Sequence, residues 1–337
     1  MFKIDIHTHI IPENINEISG IFSDRRFLNM ERLDSKHAML NKDKQPFRKV
    51  SCNCWDASQR IKDCTKNGVN VQVLSTIPVL FSYWADANDG VKLSQFLNDH
   101  IYNIIKENPK KFIGIGTIPM QSTDLAIQEM DRCINELQLP GIQIGSNVNG
   151  SNLHENKFSP IFEHAENIGC SIFIHPWEML GSSEITKYWL PWLVGMPAET
   201  SRAICSLIFG GVLEKYPALK FAFSHGGGAF PFTLGRIDHG FNTRSDLCAI
   251  DNPIIPSDYI GKFYIDSLVH DKETLKFLIK LMGYEKIALG SDYPFPLGEE
   301  IPGKLIESLN ISNDIKQRML SGTAIEWLGL NEKDYIN

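Results

Sequence analysis

Short runs of apolar and β-branched residues alternate with longer amphipathic stretches along most of the chain. Eight of these runs predict strands, and they are nearly continuous in apolar character, as strands covered by helices are. They are FKIDI near the start, then 70–75, 112–117, 141–145, 171–175, 220–225, 262–266 and 286–291. Helices are predicted between them: Asp56 suits an N-cap and Gly68 a stop, one helix ends at Pro109, and others follow Asp124 and Asp271.

Eight strands, each followed by a helix, predict a parallel (β/α)₈ TIM barrel and hence an α/β fold. One segment, about 12–55, breaks the alternation because it is polar and irregular with no clear helix. We interpret it as a small insertion after strand 1 that folds over the mouth of the barrel. The sequence shows no internal repeat, low-complexity tract or linker, so we expect a single domain over 1–337.

Charge and cysteine content restrict the partners and the compartment. The 337 residues carry a formal net charge of −7, which argues against nucleic acid or an anionic membrane as the main partner. The seven cysteines are irregularly spaced, which fits a reducing compartment. The first residues lack an apolar stretch of signal-peptide length. We therefore expect a soluble cytosolic protein with a small-molecule substrate.

Metal-binding side chains close several of the predicted strands. His7 and His9 end the first strand in DIHTH, and residues two apart on a strand point to the same side. His175 ends the fifth strand in SIFIH, and Asp292 follows the eighth in LGSDYP. The carboxyl ends of barrel strands meet at the face that carries the active site. Since imidazole and carboxylate are normal zinc ligands, we expect these four residues to bind a divalent ion, zinc in the first place.

One ion is expected rather than two. Two-metal barrel hydrolases bridge their ions with a carboxylated lysine from the fourth strand, and GIQIG at 141–145 has no lysine. Three imidazoles and a carboxylate leave a position for a water, whose pKa the ion would lower. His225, which ends the sixth strand in FSHGGG, suits acid/base work there because imidazole titrates near neutral pH. The alternatives for His225 are a fifth ligand or an orienting residue. The glycines at 226–228 would let the backbone approach a ligand closely.

These residues lie in segments that resemble the 2-amino-3-carboxymuconate-6-semialdehyde decarboxylases, a decarboxylating branch of the amidohydrolase superfamily. The likeness covers nearly the whole chain and includes DIHTHIIP, HPWEM, KYWLPWLVGMPAET, SHGGGAFPFTLGRIDHGF and GSDYPFPLGE. The resemblance implies a non-oxidative decarboxylase of tryptophan breakdown in the kynurenine pathway, with one zinc ion per subunit and no organic cofactor. It would convert 2-amino-3-carboxymuconate 6-semialdehyde to 2-aminomuconate 6-semialdehyde and CO₂, and so limit formation of quinolinate.

The resemblance also implies roles for single residues. It places zinc ligands and the acid/base histidine on the five residues already singled out, with hydroxide adding to the conjugated substrate before the C–C bond breaks. Two substrate arginines fall on Arg48 and Arg236, and a planar, permanently charged guanidinium suits a dicarboxylate. In the family the second arginine comes from the neighbouring subunit, which implies a homodimer. Lys42 and Trp189 are implied to line the pocket.

Three alternatives remain open. A zinc hydrolase such as a deaminase on the same barrel would use a proton-shuttling glutamate, and Glu178 stands three residues after His175. A second alternative is a decarboxylase of a hydroxybenzoate-type acid such as a resorcylate, against which the insertion containing Arg48 and the KYWLPW segment argue. A metal or ligand binder without activity would have to lack an acid/base group, and His225 supplies one.

Overall fold

Strands and helices follow one another along residues 1–335, the part of the chain that the computed structural model describes. In chain order the strands are β1 (Ile4–Ile10), β2 (Asn29–Arg32), β3 (His37–Lys42), β4 (Gln45–Ser51), β5 (Val71–Thr76), β6 (Phe112–Gly114), β7 (Gly116–Thr117), β8 (Gly141–Gly145), β9 (Asn147–Val148), β10 (Ser151–Asn152), β11 (Ser171–His175), β12 (Phe221–Phe223), β13 (Tyr264–Asp266) and β14 (Ile287–Ala288).

The helices are α1 (Ile15–Ser19), α2 (Ala57–Asn67), α3 (Ala87–Glu107), α4 (Thr123–Asp131), α5 (Ser159–Asn167), α6 (Met196–Phe209), α7 (Val212–Lys215), α8 (Phe230–Thr243), α9 (Ser245–Cys248), α10 (Lys272–Met282), α11 (Lys304–Glu307), α12 (Asn313–Gln317) and α13 (Thr323–Leu328). Three π-helical turns adjoin helices, at Arg132–Glu136, Pro191–Gly195 and Arg318–Gly322. Short 3₁₀ turns lie at Cys52–Cys54, Pro78–Phe81, Asn156–Phe158, His225–Gly227, Pro256–Tyr259, Tyr284–Lys286 and Glu332–Asp334. Among residues 1–335, no helix has both the length and the apolar character needed to cross a bilayer.

Parallel pairing confirms the predicted barrel. The pairs run β1–β5–β6 and then β7–β8–β11–β12–β13–β14, and β6 and β7 are two parts of one strand on either side of Ile115. The ring is joined between its first and last strands, because the N–H of Ile6 donates to the carbonyl of Leu289 at 2.9 Å. The N–H of His9 likewise donates to the carbonyl of Tyr293 at 2.8 Å. The barrel strands therefore follow one another in space in the order of the sequence.

Side-chain caps fix several helix starts. The Asp56 carboxylate accepts from the N–H of Ser58 at 2.8 Å, and Gly68, at φ +70°, ends α2 in the left-handed conformation. Both of these predicted ends are confirmed. Helix α3 begins at Ala87, because the Asp86 carboxylate caps it.

The segment between β1 and α2 is more regular than the sequence suggested. It holds helix α1 and an antiparallel sheet, β2–β3–β4, so the expectation of an irregular segment was wrong. Only one face of this sheet is buried, through Met30, Leu40 and Val50, while the other face is more exposed and mostly polar, with Glu31 and Lys49 among its side chains. Such short strands with one apolar residue in two give a weak sequence signal. The buried face packs in one cluster with Ile11 and Ile77, which follow β1 and β5.

Helix α13 covers the end of the barrel away from the site. Trp327 is fully buried and packs on Phe173, with 5.9 Å between ring centroids. Its indole N–H donates to the carbonyl of Lys220, which precedes β12, and its carbonyl accepts from Ser171, which begins β11. The amino-terminal ends of the strands are thereby sealed, which leaves the carboxyl ends for chemistry.

Candidate metal centre and active site

Four buried side chains from distant parts of the sequence meet at the carboxyl ends of the strands. One ligand atom from each of His7, His9, His175 and Asp292 lies within 4.8 Å of the others. The Nε2 atoms of His7 and His9 are 3.1 Å apart, and Asp292 Oδ1 lies 3.4 Å from the first and 3.1 Å from the second. The structure thus brings together all four residues that the sequence singled out as ligands.

Hydrogen bonds on the far side of each imidazole fix which nitrogen faces the centre. The Nδ1 atom of His7 lies 2.7 Å from Asp266 Oδ2, that of His9 lies 3.0 Å from the carbonyl of Thr76, and that of His175 lies 2.9 Å from its neighbour's carbonyl. These oxygens only accept, so each Nδ1 carries the proton and each Nε2 presents a lone pair. Burial lowers the pKa of both His9 and His175, which favours neutral imidazoles.

The arrangement fits a metal ion. Within residues 1–335, the Nε2 atom of His175 and Oδ1 of Asp292 are buried and have no hydrogen-bond partner. Lone pairs and a carboxylate oxygen that point at one another in a buried space repel, and a cation removes that cost. Three imidazole nitrogens and one carboxylate oxygen are a normal donor set for a divalent transition metal. These four side chains therefore form a candidate site for a divalent metal ion.

Two residues of the site hold a strained backbone. Asp292 has φ +57° and His225 has φ +56°, in the left-handed region, which costs a non-glycine residue roughly 1–2 kcal/mol. Hydrogen bonds from backbone N–H groups stabilise both turns. The N–H of Phe295 donates to the Asp292 carbonyl at 3.0 Å, and the N–H of His225 donates to the Asp266 carboxylate at 2.9 Å. Strain that is held in this way is typical of active sites.

The His225 imidazole lies beside the four ligands without being one of them. Its ring centroid is 5.2 Å from that of His7 and 5.1 Å from that of His175. Burial, reinforced by the nearby His7, lowers the pKa of His225 to about 4, below the ordinary value on which the sequence interpretation relied. The neutral imidazole at pH 7 can accept a proton from a group at the metal site.

The glycines after His225 serve a different purpose from the one expected. We interpreted them as room for a ligand against the backbone. A Cβ at Gly226 would lie 2.4 Å from the side chain of Val269, and one at Gly228 would lie 2.3 Å from the carbonyl of Pro197. Both also have φ +63°. They therefore allow close packing of the protein against itself.

A narrow cavity opens beside the metal site, and its walls are mostly aromatic and apolar. The lining residues are His9, Phe47, Arg48, Ile77, Pro78, His175, Trp177, Trp189, Trp192, Met196, Asp292, Phe295, Pro296 and Leu297. A second, wider space of about 280 Å³ adjoins it, and His225 forms part of its wall. The two share Trp192, Met196 and Leu297 as walls. The metal site and Arg48 thus face one cavity, and His225 faces the adjoining one.

Arg48 brings a positive charge into this cavity. It lies on β4, and its guanidinium carbon is 4.6 Å from the ring centroid of Phe295 and 5.5 Å from that of Trp192. Burial lowers its pKa, yet a guanidinium stays charged at neutral pH. Among the residues that the structure describes, no carboxylate forms an ion pair with Arg48. A desolvated cation without a counter-ion is suited to bind an anionic ligand.

The remaining predicted residues occupy different places. Trp189 lines the cavity at φ +60°. Lys42 is outside the cavity wall, with its Nζ atom 6.0 Å from the ring centroid of Trp177. Arg236 is exposed on α8, away from the wall of this cavity. Glu178 is also exposed and outside the wall, a placement that argues against a deaminase proton shuttle.

Asp266 is the residue of the site that the sequence interpretation missed. It ends β13, it is fully buried, and its carboxylate contacts both His7 and the backbone of His225. A signal was present, since KFYID ends in an acidic residue just as other strands end in histidine. A carboxylate at the carboxyl end of a barrel strand belongs with the other candidates.

The chain was compared with known proteins. The family model described as Amidohydrolase matches residues 4–330. The chain is 55% identical to the 2-amino-3-carboxymuconate-6-semialdehyde decarboxylase of Dictyostelium discoideum, over 99% of this chain and 93% of that protein. It is 35% identical to the protein of the same name from Caenorhabditis elegans, over 99% and 96%.

A solved structure has the same fold. The crystal structure of 5-carboxyvanillate decarboxylase from Novosphingobium aromaticivorans, complexed with manganese and 4-hydroxy-3-methoxy-5-nitrobenzoic acid, gives a TM-score of 0.81 at 22% identity. The alignment covers 98% of this chain and 96% of that one. The family match and the two relatives, each aligned over nearly its whole length, show that the chain belongs to the amidohydrolase family and, within it, to the 2-amino-3-carboxymuconate-6-semialdehyde decarboxylases.

Proposed function

We propose that this protein is a zinc-dependent, non-oxidative decarboxylase. Its substrate would be 2-amino-3-carboxymuconate 6-semialdehyde, and its products 2-aminomuconate 6-semialdehyde and CO₂, in tryptophan catabolism. The observation that carries the proposal is that a cluster of four metal-binding side chains and a half-buried guanidinium without an ion-pair partner in residues 1–335 face one cavity, while the His225 imidazole lies 5.1 Å, between ring centroids, from His175. No organic cofactor is needed for this chemistry.

Zinc is the metal that the ligands favour. Imidazole nitrogens suit zinc better than magnesium or calcium, and the manganese in the structure from Novosphingobium aromaticivorans supports a divalent ion in a protein of this fold. Strand β8 (Gly141–Gly145) has no lysine to bridge a second ion, which supports one ion per subunit. A divalent ion held there would lower the pKa of a bound water and so supply a nucleophile at neutral pH.

The cavity suits a small conjugated dianion. Aromatic walls such as Trp177 and Phe295 suit a planar chain. Arg48 can donate two parallel N–H hydrogen bonds to a carboxylate, which orients the substrate as well as binding it. We propose that Trp189 packs against the substrate and that Lys42 adds positive charge at the rim.

The overall reaction replaces a carboxylate with a proton. The C–C bond to the carboxylate breaks, CO₂ leaves, and a proton takes its place on the carbon that held it. His225, neutral at pH 7, is placed to accept a proton from a water that adds to the conjugated chain and to return it to the carbon that carries the carboxylate. When the C–C bond breaks, its electron pair restores the double bond and expels the added hydroxide. Arg48 would hold the substrate so that the breaking bond faces His225.

We extend the proposal to a cytosolic homodimer in which Arg236 of the partner subunit completes the anion site. On α8, Phe232 lies one turn before Arg236 and is 54% exposed. Leu193 and Val194 are 48% and 55% exposed, and they directly follow Trp192 of the cavity wall in the sequence. Exposed apolar side chains grouped in this way mark a protein interface. The seven cysteines are all free, which supports a reducing compartment.

The proposal is tested by an assay without oxygen or added cofactor. Purified zinc-loaded protein is mixed with 2-amino-3-carboxymuconate 6-semialdehyde, and loss of substrate absorbance is followed together with CO₂ release. We expect one CO₂ per substrate consumed and no ammonia. Removal of the metal with a chelator should abolish turnover, and zinc should restore it. His225→Ala should retain zinc and lose most of the turnover.

Three results would contradict the proposal. Ammonia release without CO₂ would indicate a deaminase, and Glu178→Gln would then be the variant that loses activity. Turnover of a resorcylate in preference to the muconate would indicate the other decarboxylase class. If His225→Ala binds zinc and has near-normal activity, the assignment of the acid/base role to His225 is wrong.

A further inference from the structure

The Asp266 carboxylate is at the centre of a hydrogen-bond cluster beneath the metal site. It is fully buried at the end of β13, between β12 and β14. Its Oδ2 atom lies 2.7 Å from Nδ1 of His7 and accepts the N–H of His225 at 2.9 Å. Its Oδ1 atom accepts the N–H of Gly226 at 2.8 Å and that of Leu268 at 3.1 Å. Four donors therefore converge on one side chain.

We propose that Asp266 is a positioning residue that couples a metal ligand to the acid/base histidine. The inference rests on the proposed metal-dependent decarboxylation, which assigns those roles to His7 and His225. It adds a residue that touches neither the substrate nor the reacting atoms. Asp266 acts on the first histidine through its ring and on the second through its backbone.

On the side of His7, the carboxylate determines the tautomer. A carboxylate that accepts from Nδ1 holds the proton there and turns Nε2, with its lone pair, toward the other ligands. It also fixes the plane of the ring. Without it, His7 could carry its proton on Nε2, and that nitrogen could no longer bind a metal ion.

At His225, the Asp266 carboxylate stabilises a turn whose backbone conformation is unfavourable. His225 and Gly226 follow one another in the left-handed region, at φ +56° and +63°. The backbone N–H groups of both residues donate to the Asp266 carboxylate. Because the direction of a side chain follows from its backbone, these bonds aim the imidazole at the region that the ligands face.

The surroundings of Asp266 preserve this close approach. Gly290 lies just after β14, and a Cβ there would be 2.6 Å from Cβ of Asp266 and 2.9 Å from Cβ of His7. A larger residue would push these two side chains apart. The absence of a side chain at 290 is thus part of what lets one carboxylate serve both histidines.

Asp266→Asn tests the coupling, because it keeps the size of the side chain and replaces one acceptor oxygen with an NH₂ group that cannot accept. The Kd for Zn²⁺ is measured on metal-free protein by competition with a chelator, without substrate. We expect it to rise by about 10- to 100-fold, the usual effect of removing a carboxylate behind a ligating histidine. At saturating Zn²⁺, kcat should stay at least about 10-fold low while KM changes by less than about threefold, since Arg48 is untouched.

Glu129→Gln is the matched control. It removes a buried carboxylate on α4 that bonds Arg132 and Asn98, away from the metal site. Both variants are compared by thermal unfolding. The control should lose stability with the Kd for Zn²⁺ and kcat unchanged. If Asp266→Asn does the same, Asp266 is merely structural and the inference is wrong. If kcat of Asp266→Asn recovers fully at saturating Zn²⁺, Asp266 does not position His225.

A measurement on the unsubstituted protein tests the tautomer even if Asp266→Asn does not fold. Histidine labelled with ¹⁵N is followed by NMR, and the His7 signals are those lost in His7→Gln. We expect a proton on Nδ1 that exchanges slowly with water. A proton on Nε2 would overturn the inference. If the assay above detects no decarboxylation, the proposed function fails, while the Zn²⁺ and NMR data still decide the role of Asp266.

Discussion

Arg48 lies opposite the buried Leu40 in the sheet β2–β3–β4, and its half-buried guanidinium packs among aromatic rings. Its shape matters as much as its charge, because a guanidinium binds a carboxylate through two parallel hydrogen bonds and stacks on rings. We expect Arg48→Lys to raise KM by roughly 10- to 100-fold, the equivalent of ~1.5–3 kcal/mol, with a smaller change in kcat. Steady-state kinetics with the muconate substrate measure both.

Lys49 is the control for Arg48, because neighbours on a strand point to opposite faces and Lys49 is exposed. Lys49→Ala should leave KM unchanged. An unchanged KM in Arg48→Lys would mean that this cation does not bind the substrate.

Site residues could be predicted where a pattern along the sequence indicates them. His7 and His9 alternate on one strand, and His175 and Asp292 close others, so the barrel alone brings them together. Arg48 required a family resemblance, because its sequence neighbours give no sign of burial. The low pKa of His225 could not be predicted, since it arises from packing between segments distant in the sequence.

Elements whose two faces are both buried were the easiest to predict. Strands such as β8 and β11 are continuous apolar runs, and their observed bounds equal the predicted ones. Strands β2, β3 and β4 bury one face only and carry many charged residues, so the sheet escaped prediction. That sheet determines where Arg48 lies, and so an element missed in the sequence positions a residue of the site.

Helix α13, at the closed end of the barrel, depends on a charged cluster around Glu326. Its carboxylate accepts from the Tyr264 hydroxyl at 2.6 Å and pairs with Arg318 and Lys286. Burial raises the pKa of Glu326, but these hydrogen bonds and charges outweigh it and lower the pKa from 4.5 to about 2. The resulting stability is therefore present above the unfolded value and is lost as the pH falls toward 2.

We expect Glu326→Gln to lower the free energy of unfolding by about 1 kcal/mol at pH 7, a modest value because the side chain is partly exposed to water. The difference from the unsubstituted protein should shrink at pH 3. Urea unfolding at the two pH values measures it, and Glu136→Gln, at an exposed position, serves as control. A difference that stays constant between pH 7 and pH 3 would contradict this account.

At the scale of the whole molecule, the proposal places an anionic substrate in a protein of net charge −7. One buried arginine within the chain balances only part of a dianion. A second cation from a partner subunit would complete the balance, and the exposed Arg236 beside apolar surface is suited to supply it.

Mixing two inactive variants tests this arrangement. Arg236→Ala and His225→Ala are each expected to be nearly inactive. A mixed dimer keeps one complete site, which joins the intact His225 of one chain to the intact Arg236 of the other. Random exchange of subunits should therefore restore about one quarter of the normal activity. No recovery, together with proof of subunit exchange, would mean that Arg236 does not act across the interface.

The central claim is that one ion lies among His7, His9, His175 and Asp292. The most direct test is an anomalous diffraction map, at the zinc absorption edge, of crystals grown from the zinc-loaded protein. The account predicts one peak per chain, within bonding distance of the three Nε2 atoms and of Oδ1 of Asp292. A peak elsewhere, or no peak at this cluster despite bound zinc in solution, would contradict it.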